Sequence, residues 1–91
     1  MTTQPDLSIL IVNYNTRHLL AEMFETLHMA TAGVSTEIIM VDNASSEGSV
    51  EHIRSHYPEV ELIVNDINVG FCRANNPCLE KRRGRYILVL N

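Results

Sequence analysis

The sequence predicts an α/β fold: a three-layer, open parallel sheet with strand order 3-2-1-4 and helices on both faces. Three observations lead there. Apolar runs alternate with amphipathic stretches in the order βαβαβαβ, which right-handed crossovers turn into a parallel sheet. The clearest run, Ile38-Ile-Met-Val41, is apolar at every position, as a strand covered on both faces must be. It stops abruptly at Asp42-Asn-Ala-Ser-Ser46, where a strand meets the next helix. In open sheets of this order, strands one and four lie side by side, and ligands bind beyond the carboxyl ends near that switch point.

Taken in order, residues 1–6 read as a flexible polar arm and Leu7–Val12 as the first strand. Asn13-Tyr-Asn-Thr16 ends the strand, and Asn15 or Thr16 is positioned to cap a helix by accepting an unpaired first-turn N–H. Leu19, Leu20, Met23, Phe24 and Leu27 form one apolar stripe at helical spacing, ended by Ala32-Gly33. Glu37–Val41 is the second strand. Ser45 or Ser46 is the expected cap of a second helix, with Val50, Ile53 and Tyr57 facing inward and Pro58 closing it. Val60–Val64 is the third strand, and its neighbours Glu59 and Glu61 suit a sheet edge.

The loop Asn65–Gly70 leads to a third helix reaching Arg83. Pro77 inside it lacks an N–H and would clash with the carbonyl of Arg73, so the sequence predicts a short turn at 71–75, a break, and a helix from Pro77. Gly84 is the expected left-handed residue after the helix, with Lys81, Arg82 and Arg83 favouring the negative end of its dipole. Tyr86–Leu90 is the fourth strand.

The bulk numbers restrict function. A chain of 91 residues, 45% hydrophobic and 20% charged, is one globular unit at most. A net charge of -4 argues against non-specific binding to nucleic acid. No apolar run approaches the roughly 20 residues of a membrane span, so no transmembrane segment is expected. The first six residues do not resemble a basic leader; a cytoplasmic location is the expectation. Cys72 and Cys78 form no Cys-x-x-Cys or zinc pattern and are expected to be reduced and core-filling.

Chemistry concentrates at the ends of the strands. Asp42, acceptor-only when ionised, selects a donor: the imide N–H of uracil or thymine, the guanine edge, or ribose hydroxyls. The alternative is that it caps the second helix. Tyr14 stacks on a base or packs on the helix. Asn68, Gly70, Arg73, Asn75 and Asn76 are candidates for diphosphate and sugar hydroxyls, or are ordinary turn residues. His52 and His56, four apart, lack the glutamate of a His-Glu-x-x-His motif, since Ile53 stands there, and read as solvent-facing. Lys81-Arg-Arg-Gly-Arg85 reads as helix-end chemistry. No glycine occurs from Asn13 to Arg17, which excludes the usual dinucleotide and P-loop fingerprints after the first strand.

Leu7–Asn15, Val41-Asp-Asn-Ala-Ser-Ser46 with Gly48-Ser-Val50, Asn68-Val-Gly-Phe71, Arg73-Ala-Asn-Asn76 and Arg83–Asn91 together resemble family 2 glycosyltransferases, most closely the rhamnosyltransferase-like branch. The resemblance implies a Rossmann-like N-terminal half of a GT-A fold, spanning residues 7–91, that binds a nucleotide-sugar donor such as a UDP- or dTDP-sugar. The end of the first strand, Val12 to Tyr14, would line the base pocket. Asp42 would accept from the base, with Asn43 beside it, and Asn68, Gly70, Arg73 and Asn75 would flank the donor. Pro77 departs from the small or polar residue usual there. An Asp-x-Asp-type motif holding Mg²⁺ or Mn²⁺ would be expected just beyond Asn91, so the chain alone is expected to lack the metal site and catalytic base. No cofactor is expected within these residues. A stand-alone nucleotide- or protein-binding module is the other reading, whereas a receiver-like domain fits poorly because Asn13-Tyr14 replaces its acidic residues. The uncharged fourth strand would be an exposed edge, and self-association through 86–90 is expected.

Overall fold

The computed structural model describes residues 4–90. Its elements are β1 (Leu7–Asn13), α1 (Arg17–Ala30), β2 (Thr36–Asn43), α2 (Ser49–His56), β3 (Glu61–Asn65), α3 (Phe71–Lys81) and β4 (Tyr86–Leu90). Every strand pair is parallel and the order is β3-β2-β1-β4. Fold class and strand order are therefore as the sequence predicts.

The two-residue period of a strand explains the layers. Ile9 and Ile11 of β1 and Ile38 and Met40 of β2 pack with Leu20, Phe24 and Leu27 of α1 and Ile53 of α2. Their sequence neighbours Leu10, Ile39 and Val41 turn the other way, onto Ala74 and Cys78 of α3. Both faces of the two central strands are covered, which is why their sequences do not alternate. The Phe24 ring stacks on Tyr57 at 4.0 Å, joining α1 to the residue that follows α2.

Several local expectations need correction. α3 runs unbroken from Phe71 to Lys81 with Pro77 inside it. The missing Pro77 N–H leaves the carbonyl of exposed Arg73 to solvent, while Ala74 and Cys78, one residue after each, are fully buried on the sheet and hold both halves in line. The helix ends at Lys81, and Gly84 is not its left-handed cap. Glycine is required at 84 because a Cβ there would lie 2.5 Å from the Ser8 backbone nitrogen. Ser45 and Ser46 do not cap α2, which starts at Ser49 after Gly48 in the left-handed region (φ 87°). Residues 1–3 of the expected arm lie outside the described residues. Pro5 is buried, its carbonyl accepts from Arg85 N, and Asp6 bonds Ser35 and Tyr86, so residues 5 and 6 are tied to the sheet. Cys78 is buried, and burial with the Glu61 charge pushes its thiol up to about 11; Cys72 is exposed rather than core-filling.

Candidate functional site

The carboxyl end of the sheet is organised by two adjacent residues of β2 that point to opposite faces. Asn13 and Asp42 stand opposite each other in the β1–β2 register. Their side chains share the α1/α2 face and meet: Asn13 Nδ2 donates to Asp42 Oδ1 at 2.8 Å. The other oxygen, Oδ2, accepts from the backbone N–H of Ser45 at 2.9 Å. Asp42 is 1% exposed. Expected at the mouth of a cleft, it lies within the strand and faces its own neighbours.

Asn43 turns to the α3 face and does the corresponding work there. Its Oδ1 accepts from Val69 N at 3.0 Å and Asn65 Nδ2 at 3.3 Å. Its Nδ2 donates to Asn68 Oδ1 at 2.9 Å and to the Gly70 carbonyl at 3.3 Å. Asn68 Oδ1 also accepts from Gly70 N. Asn43, Asn68 and Gly70 thus form one network that shapes the β3–α3 loop, with Gly70 at φ 84° as the turn requires.

On the opposite side the β1–α1 and β2–α2 loops are stitched together. Asn15 N donates to Ser45 Oγ at 3.0 Å, and Ser46 N donates to Asn15 Oδ1 at 2.9 Å. Thr16, one of the expected caps of α1, makes no side-chain cap; its hydroxyl donates to Asn13 Oδ1. The first N–H of α1, on Arg17, instead reaches Glu47 Oε2 at 2.7 Å. Two non-glycine residues in these loops hold left-handed backbone, Asn15 at φ 51° and Ala44 at φ 67°. For alanine that conformation costs on the order of 1–2 kcal/mol, and such strain gathers at binding sites.

The remaining candidates border this edge. Tyr14 is 49% exposed at the tip of the β1–α1 loop. Val12 and Asn13 line a cavity of about 220 Å³ closed by Thr16, Leu19 and Met23 of the α1 side. Arg73 and Asn76 are exposed on α3. Asn75 is 6% exposed; its Nδ2 donates to the Phe71 carbonyl at 3.3 Å, while its Oδ1 is buried without a partner. A buried acceptor is ordinarily paired, so this oxygen is free to take a donor, whether water or ligand.

Sequence reasoning places Asn13 in the stretch lining the base pocket but misses its bond to Asp42, and it misses Glu47 altogether. Asn13 was legible as the residue in register with Asp42. Glu47 carried no local capping signature, since its Arg17 partner lies 30 residues away. Burial acts to raise the Glu47 carboxyl, but the Ser49 hydroxyl and the Arg17 and Ser49 N–H groups outweigh it and hold it below its ordinary value. The implied divalent cation finds no ligand set here: among the described residues no cluster of three or more His, Cys, Asp or Glu could hold a metal. His52 and His56 sit with ring centroids 4.3 Å apart. No helix among the described residues is long and apolar enough to cross a membrane.

A parallel 3-2-1-4 sheet with polar loops gathered at its carboxyl edge is the open α/β arrangement in which ligands bind beyond the strand ends. Residues 8–91 match the family model described as Glycosyl transferase family 2. The chain belongs to that family and is an N-terminal portion of its GT-A fold. It is 30% identical over 91 residues to EpsE of Bacillus subtilis (strain 168), covering 96% of this chain and 32% of that protein. It is 31% identical over 88 residues to the succinoglycan biosynthesis protein ExoO of Rhizobium meliloti (strain 1021), covering 96% of this chain and 25% of that one. Among solved structures it resembles the mannosyltransferase PcManGT from Pyrobaculum calidifontis, in complex with GDP-Man and Mn²⁺, with a TM-score of 0.69 and 22% identity over 87% of this chain and 25% of that one. The chain thus spans a third or less of the length of these relatives.

Proposed function

We propose that this chain is the nucleotide-binding part of a glycosyltransferase and holds the nucleotide of a nucleotide-sugar donor at the carboxyl ends of β1 and β2. The observation that carries the reading is the Asn13–Asp42 pair, in register on the two central strands and flanked by half-exposed Tyr14. The family and the GDP-Man complex of the mannosyltransferase relative support it. Tyr14 offers a stacking face to the base. Arg73 meets the diphosphate, and the unpaired Oδ1 of Asn75 accepts a sugar hydroxyl. Asn43, Asn68 and Gly70 shape the loop that carries these groups.

In a full-length protein the reaction is glycosyl transfer from a UDP- or dTDP-sugar. A Mg²⁺ or Mn²⁺ ion on the diphosphate would take its ligands outside the described residues. The role of these residues is to bind and orient the donor.

Two roles for Asp42 follow from its geometry. Each oxygen accepts one bond, so each retains acceptor capacity, which in the first role takes the imide N–H of a pyrimidine. Its 1% exposure favours the other role, in which it contacts no ligand and only sets Asn13 and Ser45. Calorimetric titration with UDP, dTDP, GDP and ADP tests the site: uridine or thymidine nucleotides bind best, and Asp42→Ala abolishes binding. N3-methyl-UDP separates the two roles, because only direct acceptance from N3–H is lost on methylation. No binding of any nucleotide ends the proposal.

We also infer that the chain self-associates through β4, whose outer side carries no strand among the described residues. The other edge, β3, is guarded by Glu61, paired with Lys81 at 3.4 Å. β4 has no charge or proline, and Tyr86, Ile87, Leu88 and Val89 are each at least 40% exposed. Light scattering is expected to show mass rising with concentration, reversed by Leu88→Lys; a monomer at high concentration contradicts this.

A further inference from the structure

We propose that Glu47 is a positioning residue for the nucleotide site: its single carboxylate closes the first turns of both α1 and α2, locking the Tyr14 loop onto the Asp42 loop. The inference rests on the nucleotide reading for its effect on affinity, but not for the link itself.

Each helix leaves unpaired N–H groups and a partial positive charge at its first turn, and the residue before the helix ordinarily supplies the acceptor. Neither helix does so here. Thr16 precedes α1 with its hydroxyl engaged on Asn13, and Gly48 precedes α2 with no side chain. Both tasks fall to Glu47. Oε2 accepts from Arg17 N at 2.7 Å, while Oε1 accepts from Ser49 N at 3.2 Å and from the Ser49 hydroxyl. Arg17 Nη1 returns a bond to the Glu47 carbonyl at 3.4 Å. Gly48 makes the reversal possible: it sits at φ 87°, and a Cβ there would come within 3.2 Å of Arg17 Nη1.

The chemistry requires a carboxylate of this length. Glutamine has one accepting oxygen, so it serves one helix and turns an amide N–H donor toward the other. Aspartate keeps the local contact two residues on, to Ser49, but falls one methylene short of Arg17. Tyr14 and Asn15 lie between two anchors, Asn13 on the strand and Arg17 on Glu47. With Arg17 released, the Tyr14 loop keeps its bonds through Asn15 to Ser45 and Ser46 but loses its hold at the helix end. Nucleotide affinity should then fall although Glu47 touches no ligand.

The test compares the 91-residue chain with Glu47→Asp and Glu47→Gln by ¹⁵N–¹H NMR and UDP calorimetry. The expected result is a moved Arg17 amide in both variants, with Tyr14, Asn15 and Ser46 following. The amides of β3 and β4 stay in place, and Glu47→Asp weakens UDP about tenfold. Unchanged Tyr14–Arg17 amides and unchanged affinity overturn the proposal. So does a loss of affinity with shifts throughout β3 and β4, which marks general support of the fold. A wild-type chain that binds no nucleotide defeats the site reading instead, and the Arg17 amide still decides the Glu47 link.

Discussion

At each end of the sheet a polar pair stands in register on β1 and β2, and the two pairs finish differently. At the amino end Ser8 faces Glu37; at the carboxyl end Asn13 faces Asp42. Glu37 accepts from the Ser8 hydroxyl, from Arg83 N and from Arg83 Nε at 3.1 Å, and Ser8 Oγ accepts from Gly84 N at 2.8 Å. That cluster closes the α3–β4 turn against the sheet, with a glycine where no side chain fits. The carboxyl end is bonded as densely, yet it leaves Tyr14 and Arg73 outside, an unpaired acceptor on Asn75 and a strained Ala44. One end is closed by the chain itself; the other is the end to which the proposed donor site is assigned.

Substitutions at the two ends should separate stability from binding. Gly84→Ala pushes a methyl group into the Ser8 backbone and should cost about 2–3 kcal/mol, read as a lower urea midpoint. Nucleotide affinity of the folded fraction should not change. Asp42→Ala leaves the Ser45 N–H without an acceptor and the Asn13 amide with only the Ser45 hydroxyl, costs about 2 kcal/mol, and should also remove binding.

Glu37→Gln should cost about 1 kcal/mol at neutral pH and leave binding intact. Its pH dependence has a defined sign. Burial acts to raise the Glu37 carboxyl, but the Ser8 hydroxyl and the Arg83 N–H and guanidinium outweigh it and hold it below its usual 4.5. The stabilisation is present in full above that usual value and is lost as pH falls through the lower folded one. Acid unfolding of wild type, followed by circular dichroism, should be steeper there than in Glu37→Gln. Tyr14→Ala is the smallest change: stability within about 0.5 kcal/mol, because the ring is half exposed. Affinity should still fall by about 1–3 kcal/mol if the ring stacks on a base.

Legibility in the sequence followed the range of the forces involved. The sheet order and the buried strands were readable because apolar runs and their alternation with helices are local patterns. The helix ends were not. Thr16, Ser45 and Ser46 look like caps, but the Thr16 hydroxyl turns back to Asn13, and the Ser45 hydroxyl and Ser46 amide bond Asn15 across the loops. The caps of α1 and α2 come from Glu47, distant in sequence from Arg17. Pro77 was read as a break because local propensity argues for one, whereas burial of Ala74 and Cys78 decides otherwise. Asp42 and Asn43 were both singled out, but only the register and the strand's two-residue period assign them to different loops.

The most direct test is a UDP titration of the ¹⁵N-labelled 91-residue chain, mapped residue by residue. Saturable shifts confined to Val12–Thr16, Asp42–Glu47 and Asn68–Asn75, with Ser8, Glu37 and Gly84 still, are the predicted result. Absence of any saturable shift, or shifts centred on the Ser8–Glu37 end, would contradict the assignment of the donor to the carboxyl edge.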